Sequence, residues 1–330
     1  MDLHLLADNL TNPALLFFFL GILSVQLKSD LEIPANSSKF ISIYLLFSIG
    51  FKGGQELAHS DFSAEILWSC FFGVFLAIAV PIYTYFILRR RFSIQNSGAI
   101  AASYGSVSAV TFVTAISFLE MEHISFGGHM VAVMALMEAP SIIVGVLLMA
   151  LFSKSAKASN LGIGKLCHHS FTNGSVLLIL GSLVIGFLAS EQHAEGIKPF
   201  TTDLFKGFLA VFLLDMGITS GRELSAFLKK GKFAFVFAIL IPLINGCLVA
   251  WLSAWVTPVT GNRFLFAILA ASASYIAVPA AMRIAAPKAN PSLYLPMALA
   301  ITFPFNITLG MPLYLWVVQH TAVNTFVAGG

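Results

Sequence analysis

The chain has 330 residues, 58% of them hydrophobic and only 10% charged, with a mean hydropathy of +0.89. Soluble domains carry about 25% charged residues, and a water-soluble globule of this length has nowhere to hide so much apolar surface. A β-barrel would alternate apolar and polar residues instead of running apolar, and a formal charge of +3 gives no sign of a nucleic-acid partner.

The apolar runs approach the roughly 20 residues that cross about 30 Å of hydrocarbon. In chain order, candidate spans lie near 13–28, 38–52, 64–88, 97–119, 127–152, 173–190, 203–221, 232–256, 263–285 and 293–318. Met1-Asp2-Leu3-His4 lacks a basic n-region and no Ala-x-Ala site follows the first run, so no cleaved signal peptide is expected. Cys70, Cys167 and Cys247 match no metal or redox spacing and read as small packing residues.

Weak self-similarity runs through these spans. Ile49-Gly50-Phe51-Lys52-Gly53-Gly54-Gln55-Glu56-Leu57 resembles Met216-Gly217-Ile218-Thr219-Ser220-Gly221-Arg222-Glu223-Leu224. Ala101-Ala102-Ser103-Tyr104-Gly105-Ser106 resembles Ala270-Ala271-Ser272-Ala273-Ser274-Tyr275, and Met134-Ala135-Leu136 with Pro140 resembles Met297-Ala298-Leu299 with Pro304. Five spans in 1–152, a linker at 153–172 and five spans in 173–330 make the second half inverted relative to the first, a transporter signature. The fold class expected is therefore an all-α membrane protein, ten transmembrane helices in a five-plus-five inverted repeat with two broken helices. Thirteen basic loop residues, among them Arg89, Arg90, Arg91, Lys154, Lys157, Lys165, Lys229, Lys230 and Lys288, fall on one side. Only Lys52, Lys198, Lys206 and Arg263 fall on the other, which predicts a cytoplasmic basic side and both termini outside.

Two spans read as broken. The fourth contains Ser103-Tyr104-Gly105-Ser106-Val107-Ser108, and the ninth contains Ser272-Ala273-Ser274-Tyr275-Ile276-Ala277 followed by Pro279. Gly weakens a helix and Pro removes a donor, and unwound backbone at membrane depth survives only when buried in protein or lining a wet cavity. Half-helix N-termini there would present bare N–H groups and positive potential to a small anion. The expected substrate-binding residues are Tyr104, Gly105, Ser106, Val107, Ser108, Ser274, Tyr275, Ile276 and Ala277. Glu138, mid-span in Leu136-Met137-Glu138-Ala139-Pro140, is costly to bury and so reads as functional. With it, Ser103, Ser108, Thr111, Ser272, Ser274, Thr302 and Asn306 are the expected cation-binding residues, oxygens suited to a hard monovalent ion. Asp215 near the end of the seventh span reads as solvated or paired with Arg222. The histidines fall in loops or near span ends, and no phosphate loop, nucleophile motif or metal cluster appears, so an enzyme is not expected.

These residues resemble the sodium-dependent bicarbonate permease family of cyanobacteria and other bacteria. Ala289-Asn290-Pro291-Ser292 after Arg283 and Pro287 carries the resemblance, as do Gly105 through Val107-Ser108 to Thr111, Leu119-Glu120, Glu138 with Pro140, and Ile49-Gly50 with Gly53-Gly54. Tyr275 stands where the family has an acid, Val110 where it has a serine, and Glu138 where it usually has Asp. The resemblance implies a bile-acid symporter/NhaA-like fold with crossing broken helices, a core domain moving against a gate domain, and a homotrimer. It also implies a possible cytoplasmic partner of the nitrogen-regulatory signalling type. The expected function is sodium-coupled uptake of bicarbonate or a similar small anion across the bacterial inner membrane, with Na+ as coupling ion and no other cofactor. The alternatives are a transport-inactive sensor or scaffold on the same fold, and a cation/proton exchanger centred on Glu138.

Overall fold

The computed structural model describes residues 9–59, 63–152, 174–227 and 231–321, and all regular structure among them is helical. The expected linker at 153–172 with its three lysines, Cys167, Lys229, Lys230 and both chain ends lie outside the described residues.

The helices are α1 (Pro13–Gln26), α2 (Ala35–Ala58), α3 (Ala64–Leu88), α4 (Ile94–Gly105), α5 (Ala109–Met121) and α6 (His129–Phe152). After the linker come α7 (Gly174–Leu188), α8 (Glu191–Lys198), α9 (Phe205–Phe227), α10 (Lys232–Leu252), α11 (Thr260–Ala271) and α12 (Ala277–Ala285). A final run, α13 (Pro291–His320), widens to π-helix over Met297–Thr302 and Asn306–Gly310. Six helical runs are long and apolar enough to cross a membrane: Ala64–Leu88, Ile94–Met121, His129–Phe152, Glu191–Leu224, Lys232–Trp255 and Pro291–His320. α1 and α7 are apolar but shorter, and α2 is lowered in hydropathy by Lys39, Lys52, Gln55 and Glu56.

The packing sorts the helices into two groups. α1 lies along α9 and α2 along α7. α3 packs on α4 and α6, and α10 on α11 and α13. In the first group glycines set the separation, because a Cβ on Gly54 would meet the Leu183 carbonyl oxygen at 2.1 Å and one on Gly217 would meet that of Phe18 at 2.1 Å. Small residues of this kind let membrane helices approach backbone to backbone. On α3 and α10, by contrast, Leu67, Phe71 and Phe75, and Val236, Leu240, Ile244 and Leu248, are left exposed, the sides that hydrocarbon would cover.

Prolines interrupt several helices, and polar side chains cover the carbonyls left without donors. Pro242 in α10 has no N–H for the Ala238 carbonyl four residues back, and Thr302 Oγ1 donates to that oxygen at 2.7 Å. Pro312 likewise leaves the Thr308 carbonyl open, and Asn9 Nδ2 donates to it at 3.0 Å. Such repairs are what make broken backbone tolerable at membrane depth.

Candidate functional site

α4 and α5 form one rod interrupted at Ser106-Val107-Ser108, and α11 and α12 another interrupted at residues 272–276. Ser106 ends α4 at φ −81° and ψ 177°; Ser272 ends α11 at φ −82° and ψ 167°. Two residues on, Ser108 Oγ accepts from the Thr111 N–H at 3.2 Å and Ser274 Oγ from the Val278 N–H at 3.4 Å. Local geometry thus pairs Ser106-Val107-Ser108 with Ser272-Ala273-Ser274, three residues from the register that sequence similarity suggests. Gly105 is required at the first break, since a Cβ there would meet Pro81 Cδ at 2.3 Å and Ser141 Oγ at 2.5 Å.

The two breaks are joined. The Ser274 N–H donates to the Ser103 carbonyl at 2.8 Å, and Ser103 Oγ donates back to the Ser274 carbonyl at 2.5 Å. The Ser108 N–H donates to Ser272 Oγ at 3.0 Å. The carbonyl ends of the interrupted helices are also covered: Ser141 Oγ donates to Ala102 O at 2.9 Å, Asn245 Nδ2 to Ala270 O at 3.1 Å and Asn306 Nδ2 to Ala271 O at 2.8 Å. At the N-terminal ends of α5 and α12 first-turn N–H groups have no intrahelical acceptor, and the Ser108 and Ser274 hydroxyls take one on each helix.

Those N-termini border a cavity of ≈ 30 Å³ for the centres of water-sized spheres, room for about two waters on the scale of ~10–15 Å³ each. Val107, Ser108, Ala109, Val110, Ser274, Tyr275, Ile276 and Ala277 line it, with Glu138 from α6. Ser42 from α2, Ser175 from α7 and Phe212 from α9 close the opposite wall, so the cavity lies between the two packing groups. Glu138 is 4% exposed and its Oε2 has no hydrogen-bond partner among the described residues. An isolated carboxyl is too costly to leave so; a bound cation or a proton compensates it. The Tyr275 hydroxyl donates to Met216 Sδ at 3.8 Å.

Of the expected site residues, Val107, Ser108, Glu138, Ser274, Tyr275, Ile276 and Ala277 meet at this cavity. Ser103 and Ser272 are used in the bridge between the breaks. Tyr104 and Gly105 are buried behind it, with the Tyr104 hydroxyl on Thr302 Oγ1 at 2.7 Å. Ser106 Oγ is buried without a partner among the described residues, and Thr111 is buried one turn into α5. Thr302 and Asn306 do not line the cavity; they patch the Pro242 interruption and the end of α11. Asp215 is 8% exposed and accepts from Ser38 Oγ, while Arg222 pairs with Glu32 at 3.8 Å. Ser42, Ser175 and Phe212 went unread in the sequence, because each is a single residue on an unbroken helix. The one local signal is Ser42 one turn after Ser38, to whose carbonyl its hydroxyl donates at 2.9 Å.

Among the curated proteins compared, none matches the chain significantly. The model of the Na+-dependent bicarbonate transporter superfamily matches residues 13–319, a stretch that contains both helix breaks, Glu138 and every wall of the cavity, and the chain belongs to that family.

Proposed function

We propose that the protein is a secondary active transporter that takes up bicarbonate or a similar small anion, coupled to Na+. One observation carries the reading: a small cavity where two helix N-termini border a buried carboxyl with an uncommitted oxygen. Na+ at Glu138, Ser108 and Ser274 would neutralise the carboxylate, and the helix N-termini would then favour an anion beside it. Tyr275 adds a hydroxyl and bulk to the same space, which suits a small substrate.

The wider arrangement follows from the same reading. Ten membrane crossings form two inverted halves, 1–152 and 173–330, joined by a cytoplasmic linker, with both termini outside. The like close approaches of Gly54 to Leu183 and Gly217 to Phe18, one helical turn off the register of the sequence match, support that repeat. The group α1, α2, α7 and α9 serves as the gate and the other helices as the moving core. The protein works as a homotrimer in the bacterial inner membrane, with a regulatory partner of the nitrogen-signalling type on its cytoplasmic face.

Labelled bicarbonate uptake into proteoliposomes, with and without a Na+ gradient, tests the reading. Na+-dependent uptake is expected, and Glu138→Gln should lose Na+ activation while still inserting and folding. Na+-for-proton exchange without bicarbonate uptake would identify an exchanger, and neither activity a sensor or scaffold. Unchanged Na+ activation in Glu138→Gln would remove that residue from the cation site.

A further inference from the structure

Three of the helices that wall the central cavity meet again at one end of the molecule. Val113 of α5 and Leu45 of α2 line the cavity, and Glu120 and Lys52 stand seven residues further along the same two helices. Seven residues are close to two full turns, so Glu120 continues the face of Val113 and Lys52 the face of Leu45, about 11 Å beyond the cavity at ~1.5 Å per residue. Lys206 on α9 lies six residues before Phe212, another wall of the cavity. There the charges join: Lys52 Nζ is 2.8 Å from Glu120 Oε1, and Lys206 Nζ is 4.0 Å from Glu120 Oε2. The loop charges predict that this end is the outer one.

The ion pairs cross the boundary between the two packing groups. α2 and α9 belong with α7 and α1, whereas α5 packs on α11 and begins at the first helix break. Asn12, ahead of α1, joins the same groups at the same end, its Nδ2 reaching Met121 Sδ at 3.2 Å. Toward the opposite end the groups meet at Ser220, whose neutral hydroxyl donates to the Leu299 carbonyl at 2.9 Å. α5 is unbroken from Ala109 to Met121, so its cavity wall and its carboxylate move as one piece. Parting α5 from α2 and α9 beyond the cavity therefore separates Glu120 from both ammonium groups. Lys52 has other partners when that happens. Its Nζ lies 5.8 Å from the centre of the Phe205 ring on α9, and Glu56 is one turn further along α2.

We propose that Glu120, Lys52 and Lys206 form an outer latch: joined, they hold the cavity closed toward this end, and parted, they let it open there. The proposal rests on the gate-and-core part of the reading above and names the contact on which its outer closure depends. The Lys52 and Glu120 side chains are 27% and 29% exposed, so the catch is a light one, and pairs of this kind shift an equilibrium by about twofold to fivefold. A transporter must release such a contact in every cycle, which a deeply buried pair would resist.

The test uses the full chain in intact cells, with the native cysteines replaced and Val110→Cys as the reporter, at a cavity residue that is 5% exposed. The probe is a small impermeant methanethiosulfonate added outside. Glu120→Gln and Lys52→Gln should each speed labelling by about twofold to fivefold. Lys52→Glu combined with Glu120→Lys should bring the rate back toward the starting value. Ile179→Cys, buried on α7 away from the cavity, should stay unlabelled in every background. Three results overturn the latch: labelling of Val110→Cys unmoved by both single changes, an exchanged pair that labels as fast as Glu120→Gln, or Ile179→Cys labelling in step with Val110→Cys. The expected labelling in a protein without bicarbonate uptake keeps the latch and removes the proposed substrate, and bicarbonate uptake with labelling unmoved does the reverse.

Discussion

Thr302 and Ser108 are both buried hydroxyls beside a helix irregularity, yet they answer to different neighbours. Thr302 Oγ1 donates to the Ala238 carbonyl that Pro242 leaves open and receives the Tyr104 hydroxyl, so its role is to keep polar groups satisfied. Thr302→Val leaves that carbonyl and the phenol without partners, at a cost of about 1–3 kcal/mol per group. Ser108 caps α5 and faces the cavity. Ser108→Ala costs about 1 kcal/mol as a lost cap and, on the proposed reading, removes a cation oxygen as well. Melting of the purified protein with and without Na+ separates the two. Thr302→Val should lower the midpoint more while Na+ still raises it; Ser108→Ala should lower it less but blunt the rise. Equal blunting in both variants would contradict this division. In sequence the two residues looked alike, because the carbonyl that occupies Thr302 belongs to another helix 64 residues away.

At the scale of helices, two pairings depend on missing side chains. A methyl on Gly54 or Gly217 would run into the backbone of the facing helix, which has no rotamer to yield. Gly181, on α7, has nothing within 4 Å of its would-be Cβ. Gly54→Ala and Gly217→Ala should therefore cut the yield of folded protein sharply. Gly181→Ala should be neutral or stabilising by up to about 1 kcal/mol, the helix preference for Ala over Gly. A Gly54→Ala protein with an unchanged melting midpoint would show that α2 and α7 separate more readily than their spacing implies. Much at this scale was legible in the sequence. Long apolar runs read as helices, and Gly, Ser and Pro marked both interruptions, since each acts on the backbone locally. The register between the interruptions was not, because Ser106 and Ser272 share a conformation whereas the similar letters are Ser103 and Ser272. Nor was the far wall of the cavity, where Ser42, Ser175 and Phe212 come from three separate helices.

For the molecule as a whole, orientation is the open physical question that charge decides. Basic residues cost more to translocate, so the charge bias predicts that the face carrying Arg90, Arg91 and Lys288 is the cytoplasmic one. Single cysteines at Glu195 and at Lys288, both exposed, should label from opposite sides of intact cells, Glu195→Cys from outside and Lys288→Cys only after permeabilisation. The reverse pattern would overturn the orientation that the loop charges predict.

The hydrogen bond from Ser274 N–H to Ser103 carbonyl has a separate implication for how such a site diversifies. It runs main chain to main chain, so only proline at position 274 would delete it. Side chains around the cavity can then be exchanged while the two interrupted rods stay fastened to each other. A lineage is free to retune the lining of the cavity one residue at a time without dismantling the hub that holds it.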